Sequence, residues 1–155
     1  LARGMNTMLG YYKNEEATRA VLDADGWYHT GDLGTMSADG HVFIRGRIKN
    51  MLLGSNGQNV YPEEIEDKLN SMAYVNESLI VQKGDKLIGL VHPDYDEAKA
   101  MDFNDDDLMS IMEQNRLKLN EQLPPFCKIS ELRLHEDEFV KTPKKSIKRY
   151  LYKDV

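Results

Sequence analysis

Four groups of side chains in this sequence could do chemistry. Asp32 follows Thr30 and Gly31; an ionised carboxylate only accepts hydrogen bonds and can take two donors at once, although an aspartate in this setting can also simply close a turn. Arg47 offers a planar, charged fork to an anion, or else forms a surface salt bridge with Glu63 or Glu64. Gly54-Ser55-Asn56-Gly57-Gln58-Asn59 is a loop whose two glycines can take positive φ and admit another group close to the backbone. A phosphate nest is the weaker reading there, because the Gly-Lys-Ser/Thr ending of a P-loop is absent. Last, Lys141, Lys144, Lys145, Lys148, Arg149 and Lys153 give the chain a basic end. That end is either a solvated helix face, a site near phosphates, or a place of peripheral contact with anionic lipid.

Other spacings fail on inspection. Asp102, Asn104, Asp106 and Glu113 fall at calcium-loop offsets, but Asp107 stands where that loop needs glycine. His135-Glu136 begins a zinc-protease string that lacks its second histidine. His29, His41, His92 and His135 show no metal spacing, and no metal site is expected.

The elements that must position these groups can be read from periodicity and turn chemistry. Tyr28–Met36 and His41–Arg45 flank Ala38-Asp39-Gly40, a β-hairpin signal in a turn-rich β stretch over residues 1 to 45. Val42 and Ile44 point one way and Phe43 the other. From Asn50 onward the pattern becomes small mixed α/β. Pro62 opens a helix with Glu63, Glu64 and Glu66 in its positive end and Ile65, Leu69 and Met72 on one face; Tyr61 is a poor cap for it. Strands at Glu77–Gln82 and Lys86–His92 are joined by Lys83-Gly84-Asp85. A helix over Asp105–Gln122 buries Leu108, Ile111, Met112, Leu119 and Leu123, and Pro124-Pro125 ends it. A strand at Lys128–Leu134 and a short helix at Ser146–Tyr152 complete the prediction. The expected fold class is α/β (α+β), a small mixed sheet with flanking helices preceded by a β-hairpin segment.

The 155 residues allow one ordinary domain, or a small domain with a flanking piece. At 41% hydrophobic and 30% charged the composition is that of a globular protein. The net charge of −6 argues against general nucleic-acid binding. No apolar run is long enough to cross a bilayer. The single cysteine, Cys127, excludes an internal disulfide and suits a reducing compartment, so a cytoplasmic location is expected.

In order and spacing, GYYKN at Gly10, GWYHTGDLG at Gly26, GRIKN at Gly46, NVYPEEIE at Asn59 and KTP at Lys141 resemble the closing third of the adenylate-forming enzymes. These are acyl-CoA synthetases, peptide-synthetase adenylation domains and beetle luciferases. Lys49, NVYPEEIE and the Ile147-Lys148-Arg149 ending look most like the fatty acyl-CoA ligases. No segment matches the family's upstream phosphate-binding loop or acyl pocket, and the chain begins mid-pattern at Leu1. The resemblance therefore implies a C-terminal fragment: residues 1–46 from the end of a large β-rich N-terminal portion, 47–50 a hinge, and 51–155 a small mobile C-terminal domain.

The resemblance also implies roles. The parent enzyme would use ATP, Mg2+ and coenzyme A to activate a carboxylic acid, of the fatty class, as acyl-AMP and pass it to the thiol. Asp32 would accept from the ribose hydroxyls and Arg47 would reach the ribose and phosphates. Lys49 would be the pivot, and Gly54, Ser55, Asn56, Gly57, Gln58 and Asn59 the loop that meets the pantetheine arm. The family's C-terminal block reads Thr-Pro, a variable residue, Gly, Lys, Ile, and its lysine stabilises charge during adenylation. Here Thr142-Pro143-Lys144-Lys145-Ser146-Ile147 puts Lys145 on the glycine and Ser146 on the lysine. Either Lys145 serves after a one-residue slip or the lysine is missing. The missing N-terminal domain would be the chief partner, and the chain alone would be inactive. Rival readings are an adenylation domain loading a carrier protein and a non-catalytic interaction domain of the same fold.

Overall fold

The computed structural model describes residues 1–54 and 56–153. The fold is mixed α+β, and the chain divides into two compact units, Leu1–Lys49 and Asn50–Val155.

The first unit is built on one helix and one hairpin. Helix α1, Glu15–Val21, lies in the stretch expected to be turn-rich β. Its cause is local: the Asn14 side chain accepts from Ala17 N at 3.0 Å, Glu15 and Glu16 occupy the first turn, and Arg19 pairs with Glu15. Strands β1, Asp32–Met36, and β2, Val42–Arg47, pair antiparallel around the Asp39-Gly40 turn, with a bulge between Leu33 and Gly34. The first strand starts later than the predicted Tyr28 because Gly31, at φ 74°, turns the chain; Tyr28 makes only isolated bridges to Ala2 and Leu22. Val42, Phe43 and Ile44 are all exposed, so at these three positions the described residues cover neither face of β2.

The second unit carries the core. Strands β3, Leu52–Leu53, and β4, Asn59–Val60, form a small hairpin. Helix α2 runs over Pro62–Leu69 with Pro62 at its first turn and no side-chain cap from Tyr61. Strands β5, Val75–Lys83, and β6, Lys86–Pro93, are antiparallel across a two-residue loop, one residue tighter than predicted. Helix α3, Tyr95–Ala100, was not anticipated; the Asp94 side chain caps it by accepting from Glu97 N at 3.0 Å. Helix α4, Asp105–Glu121, starts on a capping box in which Asn104 accepts from Asp106 N and Asp107 N while Asp107 accepts from Asn104 N. The residues with calcium-loop spacing thus serve a helix cap. Strand β7, Ile129–Leu134, lies parallel to β6, giving the sheet order β5-β6-β7.

Alternation along the strands fills two layers. Ile80, Leu87, Val91 and Ile129 face Ile65 and Leu69 of α2 and Met112 and Leu119 of α4. Leu79, Val81, Ile88 and Leu90 face Phe139, Tyr152 and the half-buried Ile147. Ile111 and Leu123 are only half-buried, and the stripe of α4 instead includes buried Asn115, whose Nδ2 donates to Ala73 O at 2.9 Å. The predicted helix at Ser146–Tyr152 is not formed. Ile147 bridges Lys141 as part of a hairpin, and only Arg149–Tyr152 winds, as a 3-10 turn.

Candidate functional site

Asp32 and Arg47 face each other across β1 and β2, and Arg47 Nε lies 3.1 Å from Asp32 Oδ1. Thr30 Oγ1 accepts from Asp32 N at 3.1 Å, which fixes the carboxylate's backbone. Both side chains remain partly open to solvent, at 31% and 49%. The sequence allowed Arg47 a salt bridge with Glu63 or Glu64; the carboxylate it meets within its own unit is Asp32. Tyr28 stands beside them, its hydroxyl pushed up in pKa chiefly by a hydrogen bond with Tyr11, with the charges of Arg47 and Asp32 close by. Nothing in the spacing singled out these tyrosines.

Lys49 is exposed within a 3-10 turn, Ile48–Asn50, at the junction of the two units. The loop beyond it is a closed tip on the β3–β4 hairpin. Gly54 N donates to Gln58 O and Gly57 N to Gly54 O, each at 2.8 Å, and Gln58 N donates to Asn56 Oδ1 at 3.1 Å. Of its two glycines, Gly57 takes a positive φ, 77°, and Gly54 does not. Gly54 is constrained differently: a Cβ there would sit 3.2 Å from Gln58 O. Asn59 belongs to β4, and Ser55 lies outside the described residues. The hairpin is tied down where Gln82 Nε2 donates to Leu53 O at 2.9 Å.

The basic end is a hairpin turn. Lys145 N donates to Thr142 O at 2.9 Å, Thr142 N donates to Ser146 O at 2.8 Å, and Ser146 N reaches Thr142 Oγ1 at 3.3 Å. Pro143 supplies the second turn position, and Lys145 is left-handed at φ 60°. This is the three-residue connection in which a β-turn is followed by a left-handed bulge position that glycine prefers. Lys145 thus occupies a glycine's conformation, and Lys145, Ser146 and Lys144 are exposed.

Charges behind the turn are spent on anchoring it. Lys141 Nζ lies 2.6 Å from Glu77 Oε1, and that bond raises the pKa of the ammonium. Arg149 pairs with Glu66, whose Oε1 accepts from Ile80 N at 2.6 Å. Glu66 is 7% exposed, and burial pushes its pKa up against the pull of Arg149. The sequence placed Glu66 in the acidic start of α2 and Asn50 in the 47–50 hinge, but it named neither of them, nor Glu77, as a polar partner in the contacts that hold the basic end. The available signal was Glu66 itself, placed three residues before Leu69 on the buried face of α2.

Among the described residues no three His, Cys, Asp or Glu gather so as to hold a metal ion. None of the helices described is long and apolar enough to cross a membrane.

Comparison with known proteins places this arrangement. The methyl-dioxo-octahydro-indenyl propanoyl:CoA ligase of Rhodococcus jostii is 41% identical over 115 residues, covering 74% of this chain and 22% of that protein. The long-chain-fatty-acid–CoA ligase of Gallus gallus is 39% identical over 84 residues, covering 54% of this chain and 11% of that one. The chain thus spans about a fifth or less of the length of these relatives. In fold it is similar to the adenylation domain of the carboxylate reductase from Mycobacterium chelonae, with a TM-score of 0.81 at 21% identity, over 94% of this chain and 24% of that one. The family model of the AMP-binding enzyme C-terminal domain matches residues 49–154, from Lys49 at the junction through nearly all of the second unit, and the chain belongs to that family.

Proposed function

We propose that the chain is the C-terminal part of an AMP-forming acid–thiol ligase that activates a carboxylic acid with ATP and transfers the acyl group to coenzyme A. The observation that carries this reading is the opposed Asp32–Arg47 pair directly ahead of the family match. In the first half-reaction a carboxylate oxygen of the acid attacks the α-phosphorus and pyrophosphate leaves with its bridging oxygen. In the second the thiol sulfur attacks the acyl carbon, its proton is lost, and AMP leaves.

In this reading Asp32 holds the ribose hydroxyls and Arg47 the neighbouring anionic region, a division of labour that suits an acceptor-only carboxylate beside a guanidinium. Mg2+ enters with ATP as part of the substrate. Lys49 is the pivot between an orientation that presents the Thr142–Ser146 turn and one that presents the Gly54–Asn59 loop to the thiol. Lys145 supplies the cation for adenylation. The glycine-like conformation of Lys145 favours the ungapped alignment, with Ser146 on the lysine position; a bulge, however, sets two residues against one partner, so Lys145 and Ser146 both stand opposite Thr142. A fatty acid is the favoured substrate class on the likeness to the Gallus gallus ligase, while the Rhodococcus jostii ligase supports the broader class of carboxylic acids.

The test is ATP–pyrophosphate exchange by the full-length protein against straight-chain, cyclic and aromatic acids, followed by acyl-CoA formation. Exchange stimulated by one class of acid is expected. A folded protein that exchanges with none would sink the reading and favour a non-catalytic role, which Ser146 in the lysine position already motivates.

A further inference from the structure

The Thr142–Ser146 turn is clamped at both ends. Ahead of it, Lys141 is held by Glu77 of β5 at 2.6 Å. Behind it, Arg149 is held by three groups from two elements: it pairs with Glu66 of α2, reaches Ile80 O at 3.4 Å, and stands 4.0 Å from Glu63 Oε1. That Glu63 oxygen in turn accepts from Asn50 Nδ2 at 2.6 Å. A continuous run of polar contacts, Asn50–Glu63–Arg149–Glu66–Ile80, thus joins the residue that opens the second unit to the residue that anchors the basic turn.

Stability alone explains this run poorly. A largely buried ion pair returns little net stability, because desolvation offsets its attraction. This one also leaves Glu63 Oε2 buried without a hydrogen-bond partner among the described residues. A guanidinium does offer fixed direction: its planar fork can hold carboxylates and a carbonyl in one geometry, which a lysine cannot. The Arg149 side chain is 19% exposed and that of Glu66 is 9% exposed, so neither is free to wander.

We propose that Arg149 is the positioning residue of the Thr142–Ser146 turn, fixing it to α2 and through Glu63 to Asn50, so that a rotation at Lys49 carries the turn into place as a rigid attachment. The inference rests on the ligase reading and adds to it the residue that aligns Lys145. It acts on adenylation only, because the Gly54–Asn59 loop is tied to the sheet separately, through Gln82.

The experiment uses the full-length protein with Arg149→Lys and, as a milder variant, Asn50→Ala. Pyrophosphate exchange is measured with full kcat and KM determination, beside conversion of pre-formed acyl-adenylate to acyl-CoA and the thermal midpoint. Arg149→Lys is expected to lower kcat for exchange by about tenfold to a hundredfold, the scale of a misplacement of about 1 Å. The KM for ATP and the thioester step should stay within about twofold on the same argument. Asn50→Ala should show a smaller loss in the same half-reaction. Equal loss in both half-reactions would mean that the network only holds the fold together, and undiminished exchange in both variants would mean that it positions nothing; either overturns the inference alone. Absence of exchange in the unsubstituted protein would overturn the ligase reading and this inference with it.

Discussion

Replacing Lys145 by glycine should stabilise the protein and disable it. Lys145 sits at φ 60°, in a turn closed by Lys145 N→Thr142 O and Thr142 N→Ser146 O. A left-handed conformation costs an L-residue roughly 1–2 kcal/mol, and glycine escapes that cost while losing about 0.5–1 kcal/mol more chain entropy on folding. The difference is a net gain of about 0.5–1 kcal/mol in Lys145→Gly. With a urea m-value of about 2 kcal/mol/M, the midpoint of the second unit should rise by roughly 0.3–0.5 M. In the full-length protein the same substitution removes the proposed cation, and pyrophosphate exchange should fall by about a hundredfold or more, typical of losing one preorganised charge-stabilising group. Lys145→Ala separates the two effects, because alanine loses the ammonium but keeps the strain: it should be as inactive as the glycine variant without its added stability. A lowered urea midpoint in Lys145→Gly would refute the conformational argument. Undiminished exchange would remove Lys145 from the chemistry, and faster exchange in Ser146→Lys would then show that Ser146 stands in the lysine's place.

Three further outcomes are expected. Asp32→Ala in the full-length protein should weaken ATP use by about 1.5–3 kcal/mol, the worth of a charged hydrogen-bond acceptor, while leaving the melting temperature nearly unchanged because its pair with Arg47 is partly exposed; an unaltered KM and kcat for ATP would exclude it. Lys49→Pro fixes φ near −65° and should spare pyrophosphate exchange while abolishing conversion of pre-formed adenylate to thioester; equal loss of both would indicate misfolding instead. Lys141 has a folded pKa raised by Glu77, so the pair's contribution is present below the ordinary lysine pKa and is lost as pH rises through the raised value; urea midpoints of wild type and Lys141→Gln should differ at neutral pH and converge in strong alkali.

The parts of the fold legible in the sequence are those specified locally. Pro62 with its acidic turn, the Asp39-Gly40 hairpin and the apolar stripe of α4 each carry their cause within a few residues. Helix α3 and helix α1 were equally local, with Asp94 and Asn14 as caps, but at six and seven residues they are too short to show a periodic face. The site was legible as a set of types and not as a set of contacts. Asp32 and Arg47 meet only because the register around the Leu33–Gly34 bulge brings them opposite one another. The partners of Arg149 come from α2 and β5, far back in the chain, and no local rule could have named them.

The terminal segment shows how the two kinds of information compete. Ser146–Tyr152 has a helix-like spacing of Ile147 and Leu151, yet an isolated helix of that length lies well below the size at which helices hold in water. Against it stand two tertiary sinks. Ile147 and Tyr152 enter the layer formed by Leu79, Val81, Ile88, Leu90 and Phe139, and burying large side chains of this kind returns roughly 1.5–3 kcal/mol each. Tyr152 Oη also accepts from Val140 N at 2.9 Å, which closes the hairpin across its ends. A helix would have to give up those contacts together with the Arg149 anchor for a few backbone bonds. The hairpin wins, and its winning forces Lys145 into the left-handed bulge. The unusual conformation of the proposed adenylation lysine is thus a consequence of how the last residues of the described chain are buried, and substitutions at Ile147 or Tyr152 should alter adenylation without touching the nucleotide.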